Sequence, residues 1–352
     1  MRVSILIAVA TICAGCDRWQ SCDGSLAWAI PVWRVYDSGP TNEGAEAQAI
    51  VAPDRSLVIV FTEPFGRVQY GDTVLDQRPY LSRVGTDGTI VALEAADRSA
   101  GASAIGIDDQ GRPVTATEDG AGYRLDGYDP QLHIRWETRV PRISTITVGA
   151  NGDVAYVEPG GSPSAASVLH DLDASGVQQW QRDLDGYPAA VRFTPSRDVV
   201  VVFDDKIRRH AAADGAVVSE VPLCAVGVAL YPFPPVALPD GGVIVTDVTR
   251  GIVERCDASG ASIWRRQFSD HLVASVLETV DGDLVATTSE SAGLGSANAR
   301  VVRLDAATGA VRSEVAMCPE YGRVVGGDDA GFVSLGLPGG PSPGLARFAW
   351  AR

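Results

Sequence analysis

One turn comes back seven times along this chain of 352 residues. An apolar stretch enters a short Asp/Gly/Asn/Ser turn, and a β-branched run leaves it. The copies read IVAPDRSLVIVF (turn near Asp54), IGIDDQGRPVTAT (Asp109), ITVGANGDVAYV (Asn151), VRFTPSRDVVVVF (Ser196), VALPDGGVIVTD (Asp240), VLETVDGDLVAT (Asp281) and VVGGDDAGFVSL (Asp329). A unit that recurs about every 40–50 residues and holds several strands is the signature of a β-propeller.

A second turn follows most of the first ones, in GTDGTIVAL (Asp87), YDPQLHIRW (Asp129), LDASGVQQW (Asp173), AAADGAVVS (Asp214), CDASGASIW (Asp257) and LDAATGAVR (Asp305). Asp supplies a local hydrogen bond and Gly the positive φ that a tight hairpin needs. Each unit therefore reads as strand A, tight turn, strand B, variable loop, strand C, second turn, strand D. This predicts an all-β, seven-bladed propeller of four-stranded antiparallel blades.

Six second turns serve seven first turns. The last unit runs out of chain at LARFAWAR, whereas SLAWAIPVWRVYD stands unclaimed before the first unit. Trp33 in that segment matches Trp136, Trp180 and Trp264, which share one place on strand D. The expectation is a ring closed by an N-terminal strand near 26–33, paired with the C-terminal strand. An open ring would leave a long unpaired edge. The tryptophans are expected to pack between blades rather than stack on a ligand.

The D-strand hairpins resemble the repeat of pyrroloquinoline-quinone-like propellers, roughly Leu-Asp-Ala-x-Thr-Gly-x-x-x-Trp. The resemblance covers most of the chain and implies a fold, not a cofactor, since its Asp and Gly serve the turn. The broader likeness is to bacterial propeller lipoproteins, which include a scaffold subunit of the outer-membrane protein assembly machine.

The N-terminus reads as a targeting segment. Arg2 and the apolar run Val3–Ile12 make a signal of export length, too short to span a bilayer comfortably. Ala14-Gly15-Cys16 resembles the lipobox of bacterial lipoproteins, with Cys13 where that family usually has Leu. The resemblance implies cleavage before Cys16 and lipidation of its thiol. The other reading is an ordinary secretory signal. The expected layout is a signal peptide over 1–15, an anchor and linker over 16–24 and the propeller over 25–352. Asp17 leaves the choice of membrane open.

Export places the remaining cysteines in an oxidising compartment. Four remain, and the expected bridges are Cys22–Cys318 and Cys224–Cys256, with buried free thiols as the alternative. No Cys-x-x-Cys occurs and the four histidines are scattered, so no metal site is expected. A formal net charge of −15 argues against a nucleic-acid partner, which requires a basic footprint. Lys206 is the only lysine. The preference for Arg reads as coding bias without functional weight.

No catalytic motif stands out: G-x-S-x-G and the phosphate loop are both absent. Function is expected in the variable B–C loops, which a rigid scaffold presents. The longest, 62–80, mixes Arg67, Tyr70, Arg78 and Tyr80, residue types common at contact hot spots. The reading is a cell-envelope lipoprotein that binds a protein or envelope partner without catalysis and without a cofactor. Its membrane contact is the lipid anchor. The alternative is a propeller enzyme of hydrolase, lactonase or quinoprotein type, with its site at the mouth of the central channel.

Overall fold

A computed structural model describes residues 26–350 apart from 31, 36–45, 63–66, 71–72, 76–79, 96–101, 119–121, 161–165, 225–234, 270–271, 290–298, 317–322 and 336–344. The described residues form strands and turns without a helix. Seven four-stranded antiparallel sheets follow one another along the chain, and an eighth sheet has three strands.

Blades 1 to 6 each use four strands in chain order. Their A strands begin at Glu46, Ala102, Thr145, Ala190, Val236 and Leu272. Blade 7 takes Arg323–Gly327, Gly331–Leu335 and Leu345–Ala349 from the C-terminus and its outer strand, Leu26–Ile30, from the N-terminus. The ring is therefore closed by an early segment, as the count of turns predicts.

The closing strand differs in register from the one expected. Trp28, not Trp33, lies in it, opposite Arg347. Trp33 belongs to the next strand, Val32–Val35, which leaves the blade and pairs with Arg67–Tyr70. The sequence places Pro31, which has no backbone N–H to give a ladder, between the two strands.

Strand position decides composition. B strands lie between neighbouring blades and are buried on both faces: Val199–Val202 is buried at all four residues. D strands lie at the rim and alternate, as in Ser262–Gln267 and Ile134–Val140.

Two repeated contacts join blade to blade. The first uses the tryptophans. Trp180 in strand D of blade 3 donates its indole N–H to the Ala212 carbonyl of blade 4 at 3.0 Å. Trp264 of blade 5 does the same to Ala306 of blade 6 at 2.9 Å. The rings lie against Gly215 and Gly309 of those second turns, and Trp136 of blade 2 lies against Gly176 of blade 3.

The second contact uses arginine. Arg83, Arg209, Arg255, Arg303 and Arg347 hold one equivalent position on strand C of five blades. Each pairs with an aspartate in or just after the A–B turn of its own blade: Asp54, Asp198, Asp240, Asp283 and Asp328. Three also reach the following blade. Arg83 donates to the carbonyls of Gly111 at 2.8 Å and Pro130 at 3.0 Å. Arg255 donates to Ala306, and Arg303 to Asp329. A planar fork with five N–H donors makes such a bridge, and an ammonium does not. At these five positions arginine thus has a structural role, which the composition does not reveal.

Blades 2 and 3 depart from this rule. Gly127 takes the position in blade 2, where the Trp136 ring fills the space. Asp171 takes it in blade 3.

Candidate functional site

The disc offers two surfaces built from more than one blade. One is the B–C end of blades 7 and 1. Strand Leu26–Ile30 runs from Leu26, opposite Phe348 near the C-terminal end of strand C, to Ile30, opposite Leu345 at its start. The chain therefore arrives at the tight-turn end of the disc and leaves at the B–C end. There Val32–Val35 meets Arg67–Tyr70 of the longest B–C loop, and Thr73–Leu75 adds a third strand. What reads in sequence as one loop thus holds a hairpin, with the N-terminal segment added to it.

The four loop residues singled out by composition separate. Arg67 and Tyr70 lie at the two ends of the central strand of this accessory sheet, opposite Val35 and Val32. Arg78 lies outside the described residues. Tyr80 opens strand C of blade 1, opposite Phe61, and packs half-buried against a core that includes Leu57, Ile59 and Val84. Of the cysteines, Cys224 and Cys256 are bonded across 32 residues, with Cα atoms 5.8 Å apart. Cys16, Cys22 and Cys318 lie outside the described residues, as do residues 225–234 of the apolar, proline-rich stretch 224–236 that leads into blade 5.

The other surface is the central channel. A cavity of about 860 Å³ opens among the A strands and their tight turns, and all seven blades line it. Most of its wall is apolar, with Ile50, Ile105, Ile146, Val236, Leu277 and Val325 among the lining residues. Four carboxylates and one guanidinium complete it: Asp108, Asp109, Glu278, Asp281 and Arg192.

Most of these charges are engaged. Arg192 of blade 4 pairs with Glu278 of blade 6 and donates to the Ala237 carbonyl of blade 5 at 3.3 Å. That bridge spans the shortest A strand of the ring, Val236–Ala237. Burial pushes the Glu278 carboxyl above the usual range, and the Arg192 charge opposes the shift. Asp108 is buried, accepts from the Gln110 and Arg112 amides at 2.9 and 2.8 Å, and pairs with the Arg112 side chain. Asp281 accepts from the Asp329 amide at 2.6 Å and lies 3.6 Å from Arg55. Asp109 is exposed, and no described residue pairs with its side chain. Composition alone missed this constellation, although all four of its carboxylates stand inside the turn copies that define the repeat.

Among the described residues, no group of three or more His, Cys, Asp or Glu is placed to hold a metal ion. Other buried ionisable groups, among them His170 and Asp171, lie away from the channel. His170 stacks on Tyr156 with ring centroids 4.5 Å apart, and its Nε2 is 3.2 Å from Glu158. Asp171 is pushed up to about 7 by burial and by the Asp153 charge, which Arg197 partly offsets.

The chain is a seven-bladed β-propeller with an accessory sheet at one end and an apolar, acid-rimmed channel on its axis. No protein-family model and no curated protein matches its sequence. Solved structures match its fold. The WD40 repeats of RRP9 superpose with a TM-score of 0.60 at 9% identity, over 94% of this chain and 100% of that one. A catalytically inactive virginiamycin B lyase from Staphylococcus aureus, solved with quinupristin, gives 0.58 at 13%, over 91% and 99%. BamB from Moraxella catarrhalis gives 0.48 at 15%, over 91% and 98%. At identities this low the first two likenesses speak for the fold alone.

Proposed function

We propose that this chain is an envelope lipoprotein, anchored through Cys16, that binds a protein partner at its B–C end without catalysing a reaction. The observation that carries this reading is the accessory sheet. Among the described residues its outer strands, Val32–Val35 and Thr73–Leu75, each pair on one side only, and such edges accept an extended partner segment.

The path of the N-terminal strand supports the same arrangement. The closing strand begins at Leu26, at the tight-turn end, ten residues after Cys16 in the sequence. Nine residues reach about 30 Å when extended. An anchor at Cys16 then turns the tight-turn face towards the membrane and the accessory sheet away from it. The net charge of −15 keeps the disc from settling on anionic lipid, so the acyl chains carry the attachment.

Site-specific photo-crosslinking in the native host tests the reading. A photoreactive residue at Thr73, exposed on the accessory sheet, is expected to capture one discrete protein. The same residue at Gln131, exposed in a second turn, is expected to capture none. Cys16→Ser is expected to release the chain from the membrane fraction. Equal capture from both positions, or membrane retention of the Cys16→Ser chain, contradicts the proposal.

A further inference from the structure

The central channel has the properties of a ligand site rather than of a packing fault. Its volume of about 860 Å³ falls in the range of pockets that enclose a whole organic molecule. Its wall is mostly apolar and drawn from all seven blades, with a few ionisable groups converging at the tight-turn end. Packing faults are smaller than this and lack such groups.

The charges select the ligand class. The lining holds four carboxylates against one guanidinium. The guanidinium is held by Glu278 and by the Ala237 carbonyl. An anionic ligand would meet a rim of like charge and would compete with Glu278 for Arg192. A neutral apolar ligand would leave Asp109 unused. A cation meets Asp109, whose carboxylate no described residue engages; Glu278 lines the same cavity but is paired with Arg192. The field of the whole chain, at −15, steers cations towards such a mouth.

We infer that the channel binds a small organic cation: an ammonium held at the Asp109 rim, with an apolar body seated against the isoleucine and valine ring below. The accessory sheet takes no part in this site, so the inference stands or falls apart from the partner-binding proposal.

Calorimetry and ligand-observed NMR on the purified full chain test it with three probes of one shape: tryptamine, tryptophol and indolepropionate. Tryptamine is expected to bind, tryptophol more weakly, and indolepropionate weakest of all. Asp109→Asn removes a charge from an exposed turn residue. It is expected to weaken tryptamine by about five- to tenfold and to leave tryptophol unchanged. Thr147→Trp, which fills the channel from strand A of blade 3, is expected to abolish binding of all three. If that variant fails to fold, as judged by its thermal unfolding, the Asp109→Asn comparison decides alone. The inference is overturned if indolepropionate binds as well as tryptamine, if Asp109→Asn leaves tryptamine unaffected, or if tryptamine does not bind.

Discussion

The ring of Trp180 fills the space that a side chain on Gly215 would need. A Cβ on that glycine would fall 2.4 Å from Trp180 Cε3, and the glycine holds φ at +71°. The turn of blade 4 therefore exists in this form because blade 3 presents an indole to it. Gly215→Ala suffers both backbone strain and overpacking, and is expected to cost about 2–4 kcal/mol. Gly282 is the internal control. It has φ at +80° but no neighbour within 4 Å of a built Cβ. Gly282→Ala pays strain alone, about 1 kcal/mol. Denaturant unfolding of the two variants checks the order, and equal costs would remove the inter-blade role of Trp180.

The arginine bridges should fail asymmetrically. Arg83 is buried and donates to Ser56, Gly111, Pro130 and Asp54. Arg83→Ala leaves carbonyls of the next blade without their donor, at an expected cost of about 3 kcal/mol. Arg83→Lys places one nitrogen where three were used, so it should recover less than half of that loss. Equilibrium unfolding of both variants reads the difference.

Asp171 gives a pH dependence with a definite sign. Burial and the Asp153 charge raise its pKa to about 7, against an ordinary value near 3.8. The native state therefore holds a proton that the unfolded chain has lost between about pH 4 and 7, and stability falls as pH rises through that window. Asp171→Asn is expected to remove this slope. Its gain should be near zero at pH 4 and on the order of 2–4 kcal/mol at pH 8. Unfolding free energies of the two proteins across that range test it, and a gain independent of pH would assign the effect to something other than ionisation.

The Cys224–Cys256 bond ties the connection into blade 5 to strand C of that blade. Replacing both residues by Ala is expected to cost about 2–4 kcal/mol, mostly through the freedom returned to the unfolded chain. Thermal unfolding under oxidising and reducing conditions checks this. The wild type should approach the variant only when reduced.

The blade count was legible because each tight turn imposes its own chemistry. Asp, Gly and Asn recur where a hairpin requires them, whatever lies around them. The closing strand was legible only in outline. Trp33 and Trp28 both stand in apolar runs, so pattern alone could not tell which one sits opposite the C-terminal strand. Position along the strand is set by pairing with residues more than 300 positions away, and that pairing leaves no local mark on the sequence. The accessory sheet was hidden for the same reason. Its strands are short, and one of them comes from a segment that reads as part of a blade. The arginine position was repeated in five blades but passed as composition. Its meaning depends on which turn each side chain reaches, and only the register reveals that. The channel carboxylates stood in plain view inside the turns, where their turn role concealed their convergence.

The direct test of this account is a disulfide across the closing pair. Ala29 stands opposite Ala346 in the ladder that completes blade 7. A chain carrying Ala29→Cys and Ala346→Cys is expected to form that cross-link on oxidation, seen as a linked peptide by mass spectrometry, and to resist unfolding better than its reduced form. A chain carrying Trp33→Cys with Ala346→Cys should form no such link. A bond from position 33 and none from position 29 would contradict the ring as described.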